Sequence, residues 1–418
     1  MRGRALAKLV TVAGLGSTLE FYDFIIYAFF SDEIARCFFP AHTVMTSLIA
    51  TFGVFAVGYL ARPIGGLIFS HLGDKFGRKN NFSFSLLIMA LSTLCMGLVP
   101  TYAHIGVSAS LIFFVMRIFQ GLSLGAETPG AITYIAESVR ANRQGLWCSI
   151  VFAVMNLGAV LAIFIHILLN HFLSQAALNA WGWRIPFILG GLLGFLGWQI
   201  RRSMQESFAF EQQQWRADVP VFTLLRYYPL RLVAAIMVAM LAGTAMSLLY
   251  LYMPSYLAAF LHYHYNIINL NLSIGLVLYT LLMVVFGYFS DRFSRKKTMM
   301  IASVGLFFLA FPVYDMLRLN HHPILPLVFA IFALLSGMLM GNVPSLFARL
   351  FVTQVRYTGV ALSYNIGVSI TAGLVPMLTT ILMKYTDPTF APVVVLMSAA
   401  LIGMVGLLLI PKGFLNKH

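Results

Sequence analysis

Glu20, Asp23, Arg62, Arg117 and Glu127 stand inside long apolar runs, where an ionised side chain is costly unless it meets a partner or a water-filled path. By default such groups mark proton relays and solute pathways. Gly16, Glu20, Asp23 and Tyr27 recur at i, i+4, i+7 and i+11, which puts all four on one face of a helix. Two carboxylates a turn apart repel when both are ionised, so Glu20 and Asp23 are suited to gaining and losing a proton. Arg117 lies about eleven residues from the outer end of its own run, a depth similar to theirs, and opposite charges at one level can pair. Gln120 and Glu127, seven residues apart, share a face further toward the cytoplasm. Asp23, Glu20, Arg117 and Glu127 are therefore the candidates for proton coupling, against the plainer alternative of structural ion pairs between helices.

A second group is polar rather than acidic. Tyr27, Arg62, Arg117, Gln120, Asn156, Tyr252, Tyr279, Asn342, Tyr364 and Asn365 lie within apolar runs and are the candidates for contacting a solute. Each neutral one taken alone is commonly a hydrogen bond between helices, and Arg62, near one end of its run, can also snorkel. The arginines suit a carboxylate and the acids suit a cation, so an organic acid and a zwitterion both fit. His42, His104, His171, His262, His264, His321 and His322 cluster in or near outer loops without a recurring ligand spacing, and Cys37, Cys95 and Cys148 are scattered. Neither set predicts a metal site, a disulfide framework or a cofactor.

The elements that must position these residues follow from composition. The chain has 418 residues, 60% hydrophobic and 10% charged, far more apolar than a soluble domain. Its apolar runs are long and continuous enough for membrane helices and too long for barrel strands. Twelve spans are expected, at about 9–30, 47–72, 82–100, 106–134, 146–171, 184–200, 231–258, 268–290, 298–316, 323–347, 359–383 and 390–411. With the amino end inside, 21 of 27 Lys and Arg fall on the cytoplasmic side, while Arg36, Arg184, Arg318 and Lys384 fall outside. That asymmetry, rather than nucleic-acid binding, accounts for the net charge of +14. The apolar stretch after Met1–Lys8 contains Glu20 and Asp23 and no cleavage site follows it, so it reads as a retained first span. The longest polar segment, about 201–230, divides the chain into an amino-terminal bundle (1–200) and a carboxy-terminal bundle (231–418), and the chain stops soon after the last span.

An internal repeat supports that division. Asp74-Lys75-Phe76-Gly77-Arg78-Lys79 follows the second span and Asp291-Arg292-Phe293-Ser294-Arg295-Lys296 follows the eighth. Both copies resemble the G-x-x-x-D-x-x-G-R-K loop of the major facilitator superfamily, with Ser70 and Ser294 in place of one glycine each. A carboxylate at a helix end can accept hydrogen bonds from a neighbouring helix's amino end or from an Arg, latching the two halves together.

Within that superfamily the chain resembles the metabolite:proton symporters. The resemblance rests on Gly16-Ser17-Thr18-Leu19-Glu20-Phe21-Tyr22-Asp23-Phe24 with Tyr27, Ala61-Arg62-Pro63-Ile64-Gly65-Gly66, and Arg117-Ile118-Phe119-Gln120-Gly121 running to Glu127. It continues through Arg201-Arg202-Ser203-Met204-Gln205-Glu206, Met253-Pro254-Ser255-Tyr256, and Val355-Arg356-Tyr357-Thr358-Gly359 leading to Ser363-Tyr364-Asn365. Thr128-Pro129 stands where that family usually has Trp-Gly, and Arg349-Leu350-Phe351-Val352 where it has Glu-Leu-Phe-Pro.

The resemblance implies an all-α polytopic membrane protein with 12 transmembrane helices in two pseudo-symmetric six-helix bundles. It also implies proton-coupled uptake of a small organic acid or zwitterion by alternating access, and a cytoplasmic gate at Asp74, Arg78, Asp291, Arg295 and Arg356. The expected partners are a small solute, protons and the lipid bilayer, with no nucleic acid and function as a monomer. The expected place is a bacterial-type inner membrane with both termini cytoplasmic. Three rivals stand beside this reading: a drug-antiporter-type exporter, whose Gly-Pro-rich fifth span is missing at Val154–Ala159; a lipid-modifying membrane enzyme, which needs a catalytic cluster; and a receptor that binds without transport.

Overall fold

The computed structural model describes residues 14, 17–19, 21–41, 43–76, 78–125, 127–202, 220–319 and 322–411. Among them nine helices are long and apolar enough to cross a membrane, and the pair Gln175–Gly182 and Arg184–Gln199, bent by 43°, makes a tenth. Phe84–Leu98 is a shorter apolar helix, and residues 21–29 are helical and wholly buried. Numbered along the chain, these are the twelve spans of the fold: residues 21–29, Met45–Phe69, Phe84–Leu98, Val107–Ser138, Ala141–Phe172, Arg184–Gln199, Pro229–Leu251, Tyr265–Ser290, Arg295–Arg318, His322–Leu350, Val355–Met383 and Phe390–Leu409.

Helices prevail because a chain in hydrocarbon must satisfy its own backbone. Side-chain hydroxyls follow the same rule: Thr93, Ser303 and Thr380 turn back to the carbonyls of Met89, Met299 and Pro376, four residues earlier. The first span ends at residue 29, and a separate amphipathic helix, Ser31–Phe38, follows after Phe30. The tenth span breaks at Gly341–Asn342 between helices Leu325–Met340 and Val343–Leu350. The seventh and eleventh each contain a wider π-helical turn, at Ser247–Leu251 and Ser363–Ser369.

Packing falls into two sets. The third span packs on the sixth and fourth and the second on the fourth, while the seventh packs on the eleventh and twelfth, the eighth on the tenth, and the ninth on the twelfth. The second and fourth cross so closely that a methyl on Gly121 would lie 1.9 Å from the Gly58 carbonyl oxygen, a small-residue contact of the kind membrane helices use. Between the sets run two long seams, fifth against eighth and second against eleventh.

Candidate functional site

The fourth span delivers Arg117 to the interior of the first set of helices, completely buried. Its guanidinium carbon lies 3.7 Å from the centroid of Phe24, 4.6 Å from Tyr27 and 5.0 Å from Phe55. One nitrogen donates to the Phe24 carbonyl at 3.1 Å and to Gln120 Oε1 at 2.9 Å. Gln120 in turn donates to Thr93 Oγ1 at 2.6 Å, and Tyr27 donates to the Thr51 carbonyl at 2.9 Å. Among the described residues, ring faces and a few acceptors thus surround this buried cation, with no carboxylate.

The expected level pairing of Asp23 with Arg117 does not occur in this state. Asp23 turns the other way, toward Gly190 and Gly194 of the sixth span, where glycines leave room: a methyl on Gly190 would lie 2.2 Å from Asp23 Oδ1. Neither carboxyl oxygen has a hydrogen-bond partner among the described residues. Glu127 accepts from Ser17 Oγ at 3.3 Å, tying the fourth span to the first. Glu20 lies outside the described residues.

Arg62 stands between the two sets of helices. It lies 5.3 Å from the centroids of Phe24 and Tyr59, close enough to Tyr364 of the eleventh span to act on it electrostatically. Asn365 donates to the Gly125 carbonyl across the same seam at 2.7 Å.

Nearby, a cavity of about 20 Å³ opens between the sets, lined by Phe21, Phe152, Met155, Asn156, Met246, Tyr279, Met283, Met340 and Tyr364. It has room for about one water molecule. Asn156 donates across the seam to Thr280 Oγ1 at 2.5 Å, and Tyr279 stacks on Tyr250 at 4.9 Å. The candidates thus divide: Asn156, Tyr279 and Tyr364 line the cavity, while Tyr27, Arg117 and Gln120 are sealed inside one set of helices. Tyr252 accepts from Thr380 at 3.0 Å and packs on Phe52 at 5.5 Å. Asn342 sits at the break in the tenth span and donates to the Met338 carbonyl at 2.7 Å.

At one end of the molecule, Asp291 accepts from the backbone amides of Gly145 at 2.8 Å and Leu146 at 2.9 Å, at the amino end of the fifth span. Those amides have no partner within their own helix, and the helix dipole favours an anion there. Arg295 donates to the same carboxylate at 2.9 Å and to Ser345 at 3.1 Å. Arg356 pairs with Glu137 at 2.8 Å. Arg349, where the family usually has Glu, donates to Gln144 Oε1 at 3.0 Å and to the Ala141 carbonyl. Asp74 and Arg78 lie outside the described side chains.

The opposite end is also closed, by residues that sequence reasoning did not single out. Ser31 and Ser255 hydroxyls meet at 3.0 Å, and Tyr265 donates to Asp32. His166 of the fifth span stands 4.0 Å from Glu33, with Asn269 of the eighth span beside it. Along the fifth–eighth seam the contacts of Asn269, Thr280 and Asp291 are therefore spaced at eleven residues, opposite His166, Asn156 and Gly145. The only signal for His166 was a titratable residue inside an apolar run.

Comparisons with known proteins agree with this architecture. A family model described as sugar (and other) transporter matches residues 9–218, and one described as major facilitator superfamily matches residues 235–416. A putative proline/betaine transporter of Staphylococcus haemolyticus is 32% identical over 96% of this chain and 87% of its own length. The glycine betaine/proline/ectoine/pipecolic acid transporter OusA of Dickeya dadantii and the proline/betaine transporter of Escherichia coli K12 are each 32% identical over 96% of this chain and 82% of theirs.

Among solved structures, a D-xylose–proton symporter superposes with a TM-score of 0.75 at 17% identity, covering 98% of this chain and 99% of that one. The xylose transporter XylE of E. coli in a partially occluded inward-open form gives 0.74 at 16% identity, covering 96% and 98%. These structural matches establish the fold alone. With family models on both halves and relatives along nearly its whole length, the chain is a multi-pass membrane transporter, not an enzyme, and belongs to the metabolite:proton symporters of the major facilitator superfamily.

Proposed function

We propose that the chain takes up a small zwitterion of the betaine or proline kind together with protons, by exposing the cavity between its halves alternately to each side of the membrane. The carrying observation is the cavity lining: two phenylalanines, two tyrosines and four methionines around one asparagine amide, with Arg62 beside Tyr364. Aromatic faces and thioethers suit an alkylated ammonium group, and a guanidinium suits a carboxylate. A simple organic acid would use Arg62 and leave the aromatic lining without a role. The betaine and proline named for the relatives point the same way. At about 20 Å³ the cavity is smaller than such a solute, and contacts at both ends support reading this state as an empty occluded one.

In this reading residues 1–200 and 231–418 are the two moving bundles and 201–230 the linker. The excess of basic residues supports reading the Asp291 end as cytoplasmic, with both termini, and the reading needs one copy of the chain. Asp291, Arg295 and Arg356, with Asp74 and Arg78, hold the cytoplasmic gate. Asp23 carries the coupled proton. Coupling requires proton affinity to differ between conformations, and a carboxyl buried here without a well-aligned donor among the described residues, then wetted when the bundles part, meets that requirement.

The test is transport into proteoliposomes. Glycine betaine and proline should stabilise the purified protein against heat, exchange by counterflow, and accumulate under an inward proton gradient, while dicarboxylates should do none of these. Accumulation of a dicarboxylate and no effect of either zwitterion would overturn the substrate class. Zwitterion counterflow with no dependence of accumulation on the pH gradient would overturn the coupling.

A further inference from the structure

The contacts at the end opposite Asp291 contain more chemistry than closure needs. Glu33 lies on the short helix Ser31–Phe38 and His166 on the fifth span, both in the first half, while Asn269 belongs to the eighth span in the second half. All three are more than nine-tenths buried, at 5%, 3% and 2% exposed. Glu33 Oε2, His166 Nδ1 and Asn269 Oδ1 have no hydrogen-bond partner among the described residues. The imidazole stands 4.0 Å from the carboxylate, packed edge-on against Phe30 at 4.7 Å. Asn269 faces the imidazole without reaching hydrogen-bond geometry. A cluster kept only to seal a gate has no need of an acid and a base with unmet polar atoms, since apolar side chains of the same size seal as well at lower desolvation cost.

We propose that Glu33 and His166 form a second proton-binding site of the carrier, separate from Asp23, whose occupancy closes the end of the bundle at which it lies. With one proton between them the two groups carry no net charge and tolerate burial. Without it, the pair carries one negative charge, with the imidazole N–H no nearer than 4.0 Å to offset it, and burial is disfavoured.

The second half supplies the lid. Asn269 and Tyr265 of the eighth span cover the pair only while the halves are together at this end, so exposure to water changes when they part. Proton occupancy and closure are then linked reciprocally. The other titratable and charged groups facing the pair are Asp32 and Arg36 on its own helix and Tyr265 on the eighth span. Cys37, on the same helix, is also near Glu33, with Arg184 beside Cys37. Asp32 and Tyr265 are already joined to each other across the halves, which leaves Glu33 and His166 as the pair free to exchange a proton.

The inference rests on the reading that the two halves alternate, and the test separates the two ideas by measuring conformation apart from transport. Cysteines replace Ala176 and Asn266, both exposed and one on each half at this end, in the full chain without its native cysteines. Spin labels there report the distance between halves in lipid nanodiscs, with no solute, from pH 5 to pH 8.5.

Raising the pH should open this end along a titration curve. Glu33→Gln should keep it closed at high pH, and His166→Gln should move the midpoint by at least one pH unit, a tenfold change in proton concentration. Asp23→Asn should remove only the part of the pH dependence that Asp23 itself contributes and leave a titration that Glu33→Gln abolishes. A curve unchanged in both the Glu33 and His166 variants, or no dependence on pH in the parent, overturns the second site. Should Glu33→Gln not fold, the His166→Gln and His166→Asn curves decide the matter alone. Betaine counterflow at fixed pH, measured on the same preparation, reports failure of the transport reading independently.

Discussion

Replacing Gly145 by alanine should open the Asp291 end of the molecule. A methyl at that position would lie 1.9 Å from Ser290 Oγ and 2.4 Å from the Gly287 carbonyl oxygen. The serine hydroxyl can rotate away, but the carbonyl belongs to the backbone of the eighth span and moves only with the helix. Reaching even the closest tolerable contact, about 3.0 Å, requires the fifth and eighth spans to separate by roughly 0.6 Å or more. That displacement stretches the amide bonds to Asp291, now 2.8 and 2.9 Å, to the limit of useful geometry.

Hydrogen bonds to a charged acceptor contribute about 1.5–3 kcal/mol each. Arg295 and incoming water offset part of the loss, so the closed state should weaken by about 2 kcal/mol, roughly a thirtyfold change in the closed-to-open ratio. Spin labels on Asn142→Cys and Phe293→Cys, both exposed at this end, read that ratio directly. The effect should shrink in an Asp291→Asn background, because both changes act on one contact. A closed fraction within twofold of the parent, or an undiminished effect in the Asp291→Asn background, refutes the reasoning.

The remaining expectations concern other parts of the molecule. Asp23→Asn should abolish accumulation driven by a pH gradient while solute exchange persists, as read by counterflow against uphill uptake; wild-type uphill uptake would move the search to Glu127. Phe24→Leu removes the ring 3.7 Å from the Arg117 guanidinium and should lower stability by about 1–2 kcal/mol. Phe24→Tyr should largely restore it in a thermal melt.

Asn156→Leu and Thr280→Val should be strongly coupled in their effect on thermal stability, by about 1 kcal/mol in a double-mutant cycle, since the two side chains are each other's partner across the seam. In the exposed turn before the twelfth span, the Thr389 amide donates to Asp387 at 2.8 Å and, helped by Arg318, holds that carboxyl below its ordinary range. A depressed acid stabilises above its unfolded value and loses that contribution as pH falls through the folded one. Asp387→Asn should therefore cost a little stability at pH 7 and progressively less as the pH falls through the folded value of that carboxyl.

Much of this was legible in the chain because bilayer physics leaves few choices. Apolar runs, basic loops and the repeated Asp-x-x-x-Arg-Lys motif are enough to predict the spans and to bring a carboxylate to a neighbouring helix's amino end, which is where Asp291 lies. The neighbours of a polar stripe were less legible. Helical spacing tells which residues share a face but not which helix that face meets, so Asp23 and Arg117, at similar depth, turn out to face different spans. His166 escaped notice because a lone histidine in an apolar run carries no pattern; its meaning depends on Glu33 and Asn269, 133 and 103 residues away from it and each other's neighbours only in the fold. The break at Gly341–Asn342 was equally hidden, since an Asn within a span reads the same whether the helix continues or not.

Contacts eleven and eleven residues apart along the eighth span, and ten and eleven apart along the fifth, turn the pair into a beam with three marks. Eleven residues rise about 16 Å, so rocking one helix by about 10° around the Asn156–Thr280 contact moves either end by about 3 Å while the middle stays within reach. That is enough to undo a 2.8 Å hydrogen bond at one end without sliding, bending or unwinding either helix. Because the two arms are nearly equal, what one end loses the other can regain. The energy of switching sides then depends on the difference between the Asp291 contact and the Glu33–His166–Asn269 contact rather than on their sum, and a small change at either end is felt as a change in which way the carrier faces.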